Sequence, residues 1–157
     1  MTDEPTDSAQ AGQSPSVWRY ARASRVHVVV DAAPYFALMQ QALMRARQRI
    51  MMIGWDFDTR ILLGQGRRWW NRPDKVNQPA RLGPFMIWLC KRTRGLEVRV
   101  LKWNFGAHKF IFRGSMIVDL VRWYFTPGIA FKFDSAHPLG CSHHQKIVVI
   151  DDRFAAC

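Results

Sequence analysis

The stretch at residues 82–103 limits the fold most strongly, because it joins a helix pattern to a strand pattern through a tight turn. Residues 82–93 carry apolar side chains at helical spacing, and Gly95 follows as a C-terminal stop signal. Residues 96–103 then alternate between apolar and polar side chains, as a half-buried strand does. A helix that leads at once into a strand is the repeating unit of α/β proteins, so the stretch predicts that class.

Further elements extend this pattern to both sides. The sequence predicts strands at residues 25–30, 50–57 and 128–134 and within residues 142–152, and helices at residues 35–49, 82–93 and 115–125. Strand 25–30, helix 35–49 and strand 50–57 fit a βαβ unit with parallel strands, and Pro34 lies near the first position of that helix. The expected fold is α/β, with a mostly parallel mixed sheet flanked by helices.

Length and composition indicate one domain with a polar tail. The chain has 157 residues, 48% of them hydrophobic, which is enough for a single hydrophobic core. Residues 1–17 are polar and rich in Pro, Ser and Gln, so we expect a disordered tail there and an ordered domain over residues 18–157. Residues 59–81 contain two glycines and two prolines and are expected to form a long, irregular surface loop.

The charge favours an anionic partner. Residues 18–157 hold all 23 Lys and Arg but nine of the 12 Asp and Glu, which gives them a net charge of about +14. Phospholipid headgroups, nucleic acid and smaller phosphates all fit this charge, and it does not choose among them. In the predicted loop, Arg67, Arg68 and Trp69 either contact such a substrate or belong to a solvated loop whose tryptophan covers the core.

Cysteines and hydropathy bear on the compartment. Cys90, Cys141 and Cys157 are an odd number without metal-ligand spacing, which favours a reducing compartment over a disulfide framework or a zinc site. The N-terminal residues lack the apolar core of a signal peptide, and no run of 18 apolar residues occurs. We therefore expect a cytoplasmic protein with peripheral membrane contact at most. Asp56 and Asp58 form a carboxylate pair without a third ligand, so no metal or cofactor is predicted.

The strongest candidate for chemistry is the pair His144 and Lys146. Strand side chains alternate between faces, so these two share a face, roughly 6–7 Å apart along the strand. A nucleophile or general base beside a fixed cation suits an anionic, phosphate-like reaction centre, although a solvated strand end with a chance His and Lys is the alternative. Asp151 is seven residues after His144 and falls on the opposite face, so it is expected to anchor the strand end.

These residues also carry a resemblance to a known family. Residues 144–151, HQKIVVID, match the pattern H-x-K-x4-D of the phospholipase D superfamily. Ser142-His143 precedes the motif, as in many bacterial members. Residues 42–57, ALMRARQRIMMIGWDF, and residues 94–103, RGLEVRVLKW, are similar to the early helix, the Trp-ending strand and the third strand of that domain. The resemblance covers about residues 18–157.

The resemblance implies an α/β/α sandwich and a two-step phosphodiester transfer that generally requires no metal. A histidine attacks phosphorus to form a phosphohistidine, a second histidine protonates the leaving alcohol, and water or another alcohol then releases the phosphoryl group. By motif, His144 is one histidine of that pair, Lys146 holds the nonbridging oxygens, and Asp151 is the motif's aspartate. Cardiolipin synthase-like transfer between phospholipids belongs to the same class.

The sequence departs from the family pattern in two respects. Family enzymes combine two H-x-K-x4-D motifs, in one chain or across a homodimer, and this sequence contains one. The Gly-Gly/Ser-x-Asn/Asp segment that normally follows the motif is not found after Asp151. We therefore expect a domain that is incomplete at its C-terminus, the N-terminal half of a two-motif enzyme and inactive alone. A homodimer, a nuclease-like member of the superfamily and a non-catalytic half-domain are the alternatives.

Overall fold

The computed structural model describes residues 20, 22–55, 58–64, 66, 77–103, 114–136, 138, 141 and 144–157. Its elements in chain order are α1 Ala32–Met44, β1 Arg49–Gly54, α2 Leu82–Arg92, β2 Glu97–Trp103, α3 Gly114–Tyr124, β3 Ile129–Asp134, β4 Lys146–Ile150 and β5 Phe154–Ala156. The strands form one sheet in the order β3-β2-β1-β4-β5. The predicted α/β class is confirmed at this level.

The central strand of the sheet, β1, is the point at which strand direction changes. It pairs in parallel with β2, which pairs in parallel with β3. On its other side β1 pairs with β4 in antiparallel register, and β4 pairs likewise with β5. Since α2 follows β1 and α3 follows β2 in the chain, each parallel pair has a helix in its connection. The sheet is therefore mixed, with a parallel half and an antiparallel half.

All three helices contribute to one hydrophobic cluster on one face of the sheet. Its members include Ile50, Val98, Phe85 and Trp123, none of which is accessible to solvent. Side chains on the other face of the strands line a shallow open cavity of about 380 Å³; they include Met51, Arg99, Leu101 and Lys132. Helices thus cover one face in the part of the chain that the structure describes, and helices over both faces are not seen there.

The strand predicted at residues 25–30 is wrong. Val26, Val28 and Val30 are 82%, 80% and 71% exposed, and the segment has no strand assignment. Alternating valines mark one apolar face, but a strand also needs a hydrogen-bonded neighbour, and both sides of β1 are occupied by β2 and β4. The βαβ unit predicted around the first helix is therefore also wrong, and α2 and α3 lie in the parallel connections instead.

The remaining boundaries agree with the pattern except at α1 and at the end of β1. α1 begins at Ala32, three residues before its predicted start, and β1 ends at Gly54 and not at residue 57. α2, β2, α3 and β3 lie within one residue of their predicted limits. α1 ends at Met44 and not at Arg49, because the backbone N–H groups of Arg47, Gln48 and Arg49 donate to a distant carboxylate. β5 was not predicted. The expected tail at residues 1–17 lies outside the described residues, as do residues 65 and 67–76 of the loop predicted at 59–81.

A buried polar cluster joins the start of α2 to α3. The Asp119 carboxylate, 3% exposed, accepts hydrogen bonds from Thr59 Oγ1 at 2.7 Å and Arg81 Nη2 at 3.1 Å. The Gly83 N–H donates to the Thr59 carbonyl at 2.9 Å, and Trp123 Nε1 donates to the Gly83 carbonyl at 3.0 Å. These bonds pair most of the polar groups buried where the two helices meet, while Arg81 Nε is buried there without a hydrogen-bond partner.

Gly83→Ala is expected to lower the free energy of unfolding by about 1–3 kcal/mol, measured by urea denaturation. A Cβ at this position would lie 2.7 Å from Asp119 Oδ2 and 2.9 Å from Thr59 Cβ, so the polar cluster would have to open. Gly114→Ala is the matched control, because a Cβ there meets no atom within 4 Å. Helix propensity favours alanine in both variants, so equal stabilisation of the two would contradict the predicted clash.

Candidate functional site

The candidate site lies where β1 ends and β4 begins. Lys146, the first residue of β4, pairs with Gly54, the last residue of β1. Just beyond them, the Trp55 N–H donates to the Gln145 carbonyl at 3.2 Å. This edge holds the carboxyl ends of the parallel strands, where α/β sheets place their ligands.

His144 and Lys146 meet at this edge. Lys146 Nζ lies 3.4 Å from both Nδ1 and Nε2 of His144, and both residues are exposed. An atom equally far from the two nitrogens is not aligned with the lone-pair direction of either, so the ammonium does not occupy the nucleophilic position of the ring. The pair therefore presents an imidazole and a cation side by side to solvent, a combination that suits an anionic ligand.

Two stacked tryptophans pack against one side of His144. The Trp55 ring centroid is 5.3 Å from that of His144, with 48° between the planes. Trp55 in turn stacks on Trp103 at 5.8 Å and 21°. Both tryptophans are half-buried, so they limit the positions open to the imidazole and shield one side of it from water.

Lys102 also belongs to this edge. It pairs with Gly54 on the side opposite to Lys146, so the two lysines flank a residue without a side chain in one row across the sheet. Paired residues in neighbouring strands share a face, and Lys102 is 2% exposed. Neither Lys102 nor the tryptophan stack was predicted from sequence. The signal that could have found them is register, because the strand ends carry Gly54-Trp55 and Lys102-Trp103 at matching positions.

A small cavity of about 90 Å³ opens at the same edge. It is lined by Ile53, Gly54, Leu101, Trp103, Asp134 and Gln145. Asp134 pairs with Trp103 in the register of β2 and β3, and its Oδ1 accepts the Ala136 N–H at 3.0 Å. A larger groove, about 680 Å³, lies away from the histidine, between α2 and α3. The site is thus a shallow, solvent-facing edge in the described residues.

Asp151 lies at the other end of β4. Its carboxylate accepts the backbone N–H groups of Arg47 at 2.8 Å, Gln48 at 2.8 Å and Arg49 at 2.9 Å. The five residues of β4 span roughly 13 Å, so Asp151 and His144 occupy opposite edges of the sheet and do not touch. The alternation pattern predicted a strand anchor in place of a partner for His144, and these bonds are such an anchor.

The turn after β4 depends on Asp151 and on its neighbour Asp152. Asp151 and Asp152 have φ values of 52° and 55°, and the Arg153 N–H closes the turn on the Ile150 carbonyl at 3.1 Å. Aspartate tolerates this left-handed conformation better than most residues, because its short side chain can bond locally. The Asp152 carboxylate forms an ion pair with Arg49, so both aspartates of the turn hold the beginning of β1.

Local interactions shift the pKa of Asp151. Partial burial raises the pKa of this carboxyl group, but the N–H donors of Arg49, Gln48 and Arg47 and the charge of Arg153 outweigh it. The pKa therefore lies below its ordinary value. A carboxyl group that is harder to protonate in the folded state stabilises the fold above its unfolded pKa of about 3.9.

Several predicted residues fall outside the described part of the chain. Arg67, Arg68 and Trp69 are among them, as are His143 and Asp56. Asp58 is described, and its carboxylate accepts bonds from the backbone N–H, Nε and Nη2 of Arg60. The structure therefore leaves the substrate contacts assigned to Arg67, Arg68 and Trp69 as predictions.

Metal and membrane features are also absent from the described residues. No group of three or more His, Cys, Asp or Glu side chains there has the arrangement of a metal site. None of the helices in that part has the length and apolarity needed to cross a bilayer. Of the three cysteines, Cys141 and Cys157 are exposed, while burial raises the pKa of the Cys90 thiol to about 11. Cys90 is consequently a protonated thiol at neutral pH.

Comparison with family models finds no match for this chain, and neither does comparison with curated proteins. The family resemblance of the H-x-K-x4-D motif therefore rests on the motif and its context alone.

Asp151→Asn is expected to lower the free energy of unfolding by about 1–2 kcal/mol at neutral pH, because a neutral amide accepts weaker hydrogen bonds than a carboxylate. Urea denaturation measures the loss. Asp152→Asn is the matched control: it breaks an ion pair between side chains that are 37% and 63% exposed, which costs less than about 1 kcal/mol. If the control loses as much stability as Asp151→Asn, the three backbone bonds are not the anchor.

The stability of the wild-type chain is also expected to fall in acid through Asp151. Its folded pKa is lowered, so its contribution is complete above pH ~4 and disappears as the pH falls through the folded pKa. Denaturation curves recorded at successively lower pH should show that the free energy of unfolding falls more steeply for wild type than for Asp151→Asn. Parallel pH profiles would show that Asp151 carries no such linkage.

Proposed function

We propose that this chain carries one half of a phosphodiesterase site of the phospholipase D type. The proposal is supported mainly by the contact of His144 with Lys146 at an exposed edge of the sheet, with the ammonium 3.4 Å from the ring nitrogens. The H-x-K-x4-D spacing agrees with it, since Lys146 begins β4 and Asp151 follows its last residue. Phospholipids are the proposed substrates, handled by hydrolysis or by cardiolipin synthase-like transfer.

The reaction proceeds in two displacements. In one assignment, a nitrogen of His144 attacks phosphorus, the P–O bond to the leaving alcohol breaks, and a second histidine gives that oxygen its proton. Water or an acceptor alcohol then attacks phosphorus, the P–N bond breaks, and the second histidine takes the proton of the nucleophile. In the other assignment the two histidines exchange roles. Lys146 stabilises the charge that develops on the nonbridging oxygens in either case.

The second half of the site comes from another H-x-K-x4-D motif, in the same polypeptide or in a homodimer partner. The sequence has one such motif, and the other described histidine, His27, lies exposed in the segment before α1. Without the second histidine the leaving alcohol has no general acid, so a monomer of the 157 residues is expected to be inactive. A cytoplasmic location, and headgroup contact by Arg67, Arg68 and Trp69, belong to the same proposal.

A nuclease-like diesterase of the same superfamily is the second candidate. The observation that favours it is the net charge of +11, because a basic surface attracts the phosphate backbone of nucleic acid as well as anionic lipid. The chemistry at His144 is the same for both substrates, so the two candidates differ in what the surrounding surface binds.

His144→Ala is expected to lower turnover of phosphatidylglycerol by at least ~10³-fold in the full-length gene product, because it removes the nucleophile or the acid/base. Lys146→Met is expected to cost ~10²–10³-fold through lost stabilisation of the transition state. Release of the headgroup measures lipid turnover, and nicking of a plasmid measures nuclease activity.

His27→Ala and Lys132→Met are the matched controls, since each removes an exposed residue of the same type elsewhere in the described chain. Turnover that survives His144→Ala unchanged refutes the phosphodiesterase proposal. Plasmid cleavage without lipid turnover, if lost in His144→Ala, replaces the phospholipid substrate with nucleic acid.

A further inference from the structure

Helix α3 is apolar on two sides. Its inner side packs into the core, where Met116 and Trp123 are completely buried and Trp123 bonds to the Gly83 carbonyl. Its outer side carries five more apolar residues, which are Ile117, Val118, Val121, Tyr124 and the adjoining Phe125. These five are 44% to 83% exposed. At 3.6 residues per turn they cover an arc of about 120° on the side away from the core.

A helix that is apolar on both its inner and outer sides is normally in contact with protein or lipid on both sides. A surface helix of a globular protein keeps polar residues on its outer side, whereas one that is apolar on every side lies in a core or in lipid. Contiguous exposed apolar patches of this kind mark sites of contact with a protein or a membrane. Here the outer residues of α3 continue into the groove of about 680 Å³ between α2 and α3. We call the five residues and this groove the α3 surface.

The charge around the α3 surface distinguishes between possible occupants. Two cations, Lys91 and Arg122, line the groove together with Val121 and Phe125, and no carboxylate is among the described residues that line it. Asp119, the acidic residue of α3, is 3% exposed and bonded to Thr59 and Arg81 on the inner side. The α3 surface is thus an apolar strip bordered by two cations. It is complementary to a surface that has an anionic outer layer over an apolar interior.

We propose that the α3 surface docks on an anionic phospholipid bilayer, with Val121 and Phe125 entering the boundary between headgroups and acyl chains. Lys91 and Arg122 then lie among the lipid phosphates, and each adds to the attraction of an anionic leaflet. Tyr124 has a ring with a polar end, which suits the headgroup level. This docking goes beyond the phosphodiester chemistry and does not depend on any activity of His144.

The experiment is co-sedimentation of the full chain with vesicles of phosphatidylcholine, with and without an equal amount of phosphatidylglycerol. Wild type is expected to sediment with the anionic vesicles and to be released by salt. Val121→Glu is expected to bind at least about tenfold more weakly, because it places a carboxylate in the apolar strip. Val28→Glu is the matched control and keeps wild-type binding, since Val28 is an exposed valine before α1.

A charge-reversal variant, Lys91→Glu with Arg122→Glu, tests the rim without altering core residues. It is expected to abolish the preference for anionic vesicles. Unfolding curves establish that this variant and Val121→Glu both fold. The proposal is overturned if wild type ignores both vesicles or if the α3 variants bind as wild type does. It is also overturned if Val121→Glu disperses an oligomer without changing vesicle binding, because the occupant is then a second copy. His144→Ala must sediment like wild type, so failure of docking and failure of catalysis stay distinguishable.

Discussion

The carboxylate of Asp151 fixes the register on which the candidate site depends. It accepts three successive backbone N–H groups before and at the start of β1, and the Asp151 N–H donates to the Arg49 carbonyl at 2.8 Å. These bonds set Ile150 opposite Ile50, and four residues further along they set Lys146 opposite Gly54. A slip of one residue would turn every side chain of β4 to the other face. The aspartate therefore orients Lys146 from the opposite edge of the sheet.

A second carboxylate, that of Asp119, has a similar stabilising role in the helical layer. Asp119 joins Thr59 and Arg81 beneath the start of α2, and Gly83 leaves the space that this arrangement needs. The two aspartates act in different surroundings. Asp119 is buried and bonds to side-chain donors, whereas Asp151 lies in a surface turn and bonds to backbone N–H groups, which every residue except proline supplies. One fixes how the helices pack and the other fixes how the antiparallel strands align.

Local patterns predicted the elements well, and what they missed depends on distant contacts. α2, β2, α3 and β3 could be predicted because their periodicity reflects burial on the single face that the helices cover. Residues 25–30 have an equally clear alternation, but they pair with none of the five strands. The shortening of α1 could not be predicted either, because its cause is Asp151, more than 100 residues away. Of the site, alternation predicted that His144 and Lys146 share a face, and the structure shows these two side chains in contact at 3.4 Å. Lys102 and the stack of Trp55 on Trp103 needed the strand order.

The separation between Asp151 and its partners has a consequence for folding kinetics. The parallel half of the sheet forms through the connections that carry α2 and α3, while β4 must return across 102 to 104 residues to meet β1. Contacts with such separations form late, because the loop they close has to lose its entropy before the bonds compensate. We expect β1, β2 and β3 to associate with their helices first, while His144 and Lys146 still lie on an undocked segment. The site is then assembled in the last stage of folding. A chain stalled before that stage would have most of its hydrophobic core but no positioned His144 and Lys146.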